Sequence, residues 1–135
     1  MKTLKILIAE DESMLSEFYQ EFLEDYFSQF FEIQFDIYDN GMEALNTSFN
    51  EKYDLIISDV NMPYMNGLDF TKKLKSASNP NSETPLILIT AVPQALNFTQ
   101  DNLCYVMKKP MDPSRFEKVC KIILAEDIKA AQKAA

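Results

Sequence analysis

Four short stretches carry side chains able to do chemistry together. Glu10-Asp11-Glu12 follows the apolar run Leu4–Ala9, and Asp59 follows Leu55-Ile56-Ile57-Ser58. Thr90 closes the run Leu86–Ile89, and Lys108-Lys109-Pro110 follows Leu103–Met107. If the first and third runs are neighbouring strands, Glu10, Asp11 and Asp59 converge. Like charges a few ångströms apart repel by several kcal/mol at intermediate dielectric, and a bound divalent cation is the simplest relief. Mg²⁺ suits such a half-open oxygen site, because it keeps waters and accepts phosphate oxygen as a further ligand. Lys109 would then neutralise a transferred phosphoryl oxygen, and the Thr90 hydroxyl would donate to another. Taken singly, each group has a plainer reading: Asp11 as a helix N-cap, Thr90 as a fitted strand residue, Lys109 as a surface cation. The order of the pieces, each at a strand end, is the specific signal.

The elements that must position these groups alternate along the chain. The apolar runs at Leu4–Ala9, Leu55–Ile57, Leu86–Ile89 and Leu103–Met107 read as buried strands, and Glu32–Tyr38 alternates as a strand with one wetter face. Between them, Met14, Leu15, Phe18, Phe22, Leu23, Phe27 and Phe30 recur at helical spacing. Met42–Phe49 and Leu68–Ala77 are further helices, and a last helix is expected over about 114–131. Ser78–Pro85 is a polar loop, and Asn40-Gly41 and Asn66-Gly67 are strand-to-helix loops. Strands alternating with helices imply right-handed βαβ units, hence a five-stranded parallel sheet, doubly wound, with helices on both faces and one domain over 1–135. Ligands of open α/β sheets sit beyond the carboxyl ends of the strands, where all the groups above are expected.

Composition narrows the function classes. The chain has 135 residues, 47% hydrophobic and 25% charged, with a net charge of −8. That charge repels nucleic-acid phosphates and anionic lipid, and Arg115 is the single arginine, so no bidentate phosphate clamp is expected. No histidine is present, which removes Ser/His and Cys/His catalysis, histidine-ligated metals and an internal phosphohistidine donor. Any metal is held by oxygen. No apolar run reaches the ~20 residues of a membrane span or the length of a signal-peptide core, so a cytoplasmic protein without membrane insertion is expected. Cys104 and Cys120 fit free buried thiols, with one disulfide as the alternative.

Ile6-Leu7-Ile8-Ala9-Glu10-Asp11-Glu12, the segment from Tyr53 to Gly67 that contains Ser58-Asp59-Val60-Asn61-Met62-Pro63, Ile89-Thr90-Ala91 and Lys109-Pro110 together resemble the receiver domains of two-component response regulators. Asn40-Gly41-Met42-Glu43-Ala44-Leu45 is similar to the family's second loop and helix. The resemblance implies a flavodoxin-like sheet of order 2-1-3-4-5. It implies that Asp59 accepts a phosphoryl group from a phosphohistidine on a sensor histidine kinase or histidine phosphotransfer protein. It further implies Mg²⁺ held by Asp11, Asp59 and the main-chain carbonyl of Asn61, with Glu10 acting mainly through water on the metal. Lys109 would pair with the phosphoryl group across a cis bond to Pro110, and Thr90 would move toward it. Such a chain catalyses its own phosphotransfer and slow self-dephosphorylation rather than conventional turnover, and signals to a downstream protein target.

The sequence also departs from the family. Val106 stands where an aromatic is usual, three residues before Lys109, and Tyr105 is expected on the opposite face. The alternative is that Lys108 is the functional lysine, with a bulge in the strand. The stretch between Thr90 and Lys109 is about one helical turn short, and Pro93 and Asn97 put the fourth helix in doubt. A haloacid-dehalogenase-like hydrolase is disfavoured, since Asp59-Val60-Asn61 lacks its second acid. The other reading is a receiver-like module that binds a partner independently of phosphorylation. Phe18, Phe22, Phe27, Phe30 and Phe31 are either core or a docking face for a helical partner. Val92 is apolar where it would orient an attacking water, so the phosphorylated wild type is expected to outlive a phosphorylated Val92→Glu variant. Equal decay rates, followed by mass spectrometry, would refute that.

Overall fold

The computed structural model describes residues 1–91 and 103–134. Val92, Pro93 and Asn97, with the expectations attached to them, lie outside these residues. The strands are β1 (Thr3–Ala9), β2 (Glu32–Tyr38), β3 (Leu55–Asp59), β4 (Leu86–Thr90) and β5 (Cys104–Lys108). The helices are α1 (Ser13–Phe27), α2 (Gly41–Ser48), α3 (Gly67–Leu74), α4 (Pro113–Ile123) and α5 (Ala125–Ala134). All strand pairs are parallel, in the order β2-β1-β3-β4-β5 expected of the doubly wound sheet.

Burial explains the strand patterns. Every residue of β3 and β4 is buried, as befits central strands covered on both faces, whereas β2 at the edge alternates. Ile6, Ile8, Leu55, Ile57, Ile87 and Ile89 pack with Tyr19, Leu23 and Phe27 of α1 and with Phe116 and Cys120 of α4. Leu7, Ala9, Ile56, Leu86 and Leu88 face the other way, onto Ala44 and Leu45 of α2 and Phe70 and Leu74 of α3. Cys104 and Cys120 are buried on opposite faces of the sheet, so the sheet itself excludes the disulfide between them. Among the described residues, no helix is long and apolar enough to cross a membrane.

Two expectations change, and one open alternative is decided. The first helix ends at Phe27 rather than running on to Phe30, because the Phe27 carbonyl accepts both the Phe30 and Phe31 amides (3.0 Å each) and turns the chain toward β2. The five phenylalanines are core residues: Phe27 and Phe31 are fully buried, and Phe18, Phe22 and Phe30 are half-buried against them. None of the five is exposed, which removes the docking face. The single last helix is two, α4 and α5, meeting at Leu124, whose side chain is wholly buried and whose ψ of 10° departs from helical geometry.

Polar residues lock the loops. Asn40 and Asn66 cap α2 and α3, their side-chain oxygens accepting the Glu43 and Asp69 amides at 2.9 Å. In the loop before β4, buried Asn81 accepts the Tyr53 amide at 2.8 Å and donates to the carbonyls of Ser48 and Glu51 at 2.7 Å. That loop is thereby fastened to the start of β3.

The chain's two glycines, Gly41 and Gly67, open α2 and α3 with ordinary negative φ. Their role is close approach: a Cβ on Gly67 would overlap the Asp59 carbonyl and lie 2.9 Å from the Val60 Cα, and one on Gly41 would overlap the Met65 carbonyl. Gly41→Ala and Gly67→Ala are therefore each expected to destabilise by about 1–3 kcal/mol, the usual cost of overpacking. Urea unfolding measures this, and unchanged midpoints would show that the backbone yields freely.

Candidate functional site at the carboxyl edge of the sheet

The strand registers align the reactive groups. Ala9 pairs with Ser58, so Glu10 leaves β1 level with Asp59 at the end of β3. Asp59 pairs with Ile89, and Thr90 with Lys108, which brings the ends of β4 and β5 to the same edge. Between β1 and β3 the order of strands reverses, the position where open α/β sheets leave a crevice.

Glu10 is 3% exposed and Asp59 4%, whereas Asp11 is exposed. One ligand oxygen from each lies within 4.8 Å of the other two, the one such cluster among the described residues. Asp59 Oδ1 accepts the Val60 amide at 2.7 Å, and Oδ2 accepts from Lys109 Nζ at 2.9 Å. Glu10 Oε2 accepts the Glu12 amide at 3.2 Å, while Oε1 is buried without a partner. Burial chiefly, with the charge of Asp59 adding to it, pushes the Glu10 carboxyl up to about 8, against the Glu12 amide and Lys109. Burial alone would lower the Lys109 ammonium, but its hydrogen bond to Asp59 and the charges of Glu10, Asp59 and Glu12 outweigh it, and the net shift is upward.

Thr90 is 5% exposed, and its carbonyl accepts the Lys109 amide at 2.8 Å, so β4 sets where Lys109 stands. The Lys109-Pro110 bond is cis. β5 pairs with β4 without a break from Cys104 to Lys108, which excludes the bulge, and Lys108 is exposed. Val106 is buried on the α2/α3 side, while Tyr105 is half-buried on the α1/α4 side. Asn61 is exposed in the loop after β3, two residues beyond Asp59. That loop is closed by the Gly67 amide on the Val60 carbonyl at 2.7 Å, and carries Tyr64 at φ 66°, a left-handed conformation unusual for tyrosine.

Hard oxygen donors, a buried carboxylate oxygen with no partner and close like charges fit Mg²⁺ as a resident ion. Sequence reasoning missed Tyr19, whose buried hydroxyl also lacks a partner. The spacing Leu15, Tyr19, Leu23, Phe27 was its signal, a lone polar atom in an apolar helical stripe. Without Lys109 the carboxylates would face one another uncompensated. Lys109→Met is expected to lower metal-free stability by about 1–3 kcal/mol, and Lys108→Met to change it by no more than about 0.5 kcal/mol. Equal effects in chemical denaturation would contradict this difference between the two lysines.

Residues 6–121 match the model of the response regulator receiver domain. The probable transcriptional regulator ycf29 of Pyropia yezoensis is 34% identical over 131 residues, covering 92% of this chain but 54% of that protein. The chain thus spans about half the length of this curated relative. The chemotaxis response regulator CheY4 of Vibrio cholerae superposes with a TM-score of 0.71 at 25% identity, over 91% of this chain and all of that one. The receiver domain of a sensor histidine kinase from Pseudomonas aeruginosa PAO1, whose structure has a magnesium ion coordinated in the active-site cleft, shares the fold. Its TM-score is 0.72 at 18% identity, over 91% of this chain and 98% of that one. The parallel sheet of order 2-1-3-4-5 and the family match over residues 6–121 make this chain a member of the response regulator receiver family of two-component signalling.

Proposed function

We propose that Asp59 is the phosphoacceptor of this receiver domain, and that the observation carrying the reading is its Oδ2 held 2.9 Å from the Lys109 ammonium beside Glu10 and Asp11. The donor is a phosphohistidine on a sensor histidine kinase or histidine phosphotransfer protein. An Asp59 carboxylate oxygen forms the new bond to phosphorus as the phosphorus–nitrogen bond breaks, and the imidazole leaves with the electron pair. Glu10, Asp11, Asp59 and the main-chain carbonyl of Asn61 are the groups to hold Mg²⁺. When bound, that ion supplies positive charge for the phosphoryl oxygens.

The chain's own residues do the rest. Lys109 already stands against the accepting carboxylate, so its ammonium meets a phosphoryl oxygen without reorganisation. The Val60 amide orients the Asp59 carboxyl. Thr90, at the end of the neighbouring strand, donates its hydroxyl to the phosphoryl group, and the conformer so favoured is read by a downstream protein target. The net charge of −8 argues for a protein partner of this domain rather than direct contact with nucleic acid. The expected catalysis is self-phosphorylation and slow self-hydrolysis.

Intact-mass measurement after incubation with a small-molecule phosphodonor tests the reading. A Mg²⁺-dependent gain of one phosphoryl group, lost in Asp59→Asn, is expected. No gain in folded wild type would overturn it in favour of a module that binds its partner without phosphorylation.

A further inference from the structure

Among the described residues, two buried side-chain polar atoms have no hydrogen-bond partner, Glu10 Oε1 and the Tyr19 hydroxyl. They are chemically complementary once Glu10 is ionised, as it is when it meets a cation, since an ionised carboxylate only accepts and a phenol donates. Tyr19 is 1% exposed on the α1 face that packs against the sheet. Its ring is gripped by Phe18 at 5.9 Å and by Phe116 of α4 at 5.8 Å between centroids, so the hydroxyl has little freedom to seek another partner. Burial first, and then the charges of Glu10, Asp59 and Glu12, raise the Tyr19 pKa, so the hydroxyl lies within the field of the carboxylate cluster.

A phenylalanine would serve the packing of this stripe, which is otherwise leucine and phenylalanine. A buried hydroxyl without a partner costs free energy, so the oxygen at position 19 calls for a use. We propose that Tyr19 is a positioning residue: its hydroxyl donates to Glu10 Oε1 and, with the Glu12 amide on Oε2, fixes the carboxylate at the cation site. Both carboxylate oxygens are then held, one from the loop and one from α1, and Glu10 meets the cation in a single orientation. Partners of metal-binding groups that orient them in this way are typically worth about 10–100-fold in metal affinity.

This inference rests on reading the carboxylate cluster as a Mg²⁺ site, and calorimetric titration with MgCl₂ separates the two. Wild type, Tyr19→Phe, Glu10→Gln and the double variant are compared, each with its urea unfolding midpoint. Tyr19→Phe is expected to bind Mg²⁺ about tenfold more weakly than wild type, with no loss of stability. In the Glu10→Gln background the same change is expected to cost nothing further, because the hydroxyl acts through that carboxylate. Wild-type affinity in Tyr19→Phe, or losses that simply add in the double variant, would overturn the positioning role and leave the metal site standing. No heat from wild type would overturn both.

Discussion

Three carboxylates whose oxygens come within 4.8 Å of one another set the terms for everything around them. In water they would move apart. Here the Ala9–Ser58 register and the fully buried β3 backbone deny Glu10 and Asp59 that freedom. Two like charges at this distance cost about 4 kcal/mol at an effective dielectric near 20. Lys109 and the Val60 and Glu12 amides offset part of that cost, while burial, with the charge of Asp59 adding to it, displaces the Glu10 carboxyl upward. The fold therefore holds close carboxylates whose mutual repulsion a bound divalent cation would relieve.

Such a cluster needs an unyielding frame. The two glycines let α2 and α3 begin with their backbones against the loop that follows β3. The Asn40 and Asn66 caps fix where those helices start, and Asn81 bolts the loop before β4 to the start of β3. Each device is short-ranged, yet together they hold the carboxyl ends of three strands level. The Lys109 amide on the Thr90 carbonyl extends the same precision to β5, whose lysine answers Asp59 from two strands away.

The surroundings of the site are uneven. On the α2/α3 side β5 offers Val106, a small aliphatic residue, while Tyr105 turns to the other face. The aromatic side chains crowd instead between α1 and α4, where Tyr19, Phe22 and Phe116 meet ring to ring. Tyr19 belongs to that cluster, and its hydroxyl feels the charge of Glu10.

The strands, the helices on both faces and the acidic, hydroxyl and ammonium groups at strand ends were legible in the order of residues alone. Local information suffices there: buried parallel strands are short apolar runs, and Asn-Gly pairs mark helix starts. Glu10, Asp11, Asp59, Thr90 and Lys109 were legible because each stands within two residues of the end of such a run. Whether Lys108 or Lys109 faces Asp59 was open, since adjacent residues of a strand differ only in direction, and the unbroken β4–β5 register decided it. Tertiary structure also decided that the two cysteines stand on opposite faces, and that the helix starting at Ser13 stops at Phe27. It alone revealed that the Tyr19 hydroxyl is buried without a partner. In sequence, tyrosine in an apolar stripe is one more large side chain, and only packing shows where its single polar atom comes to rest.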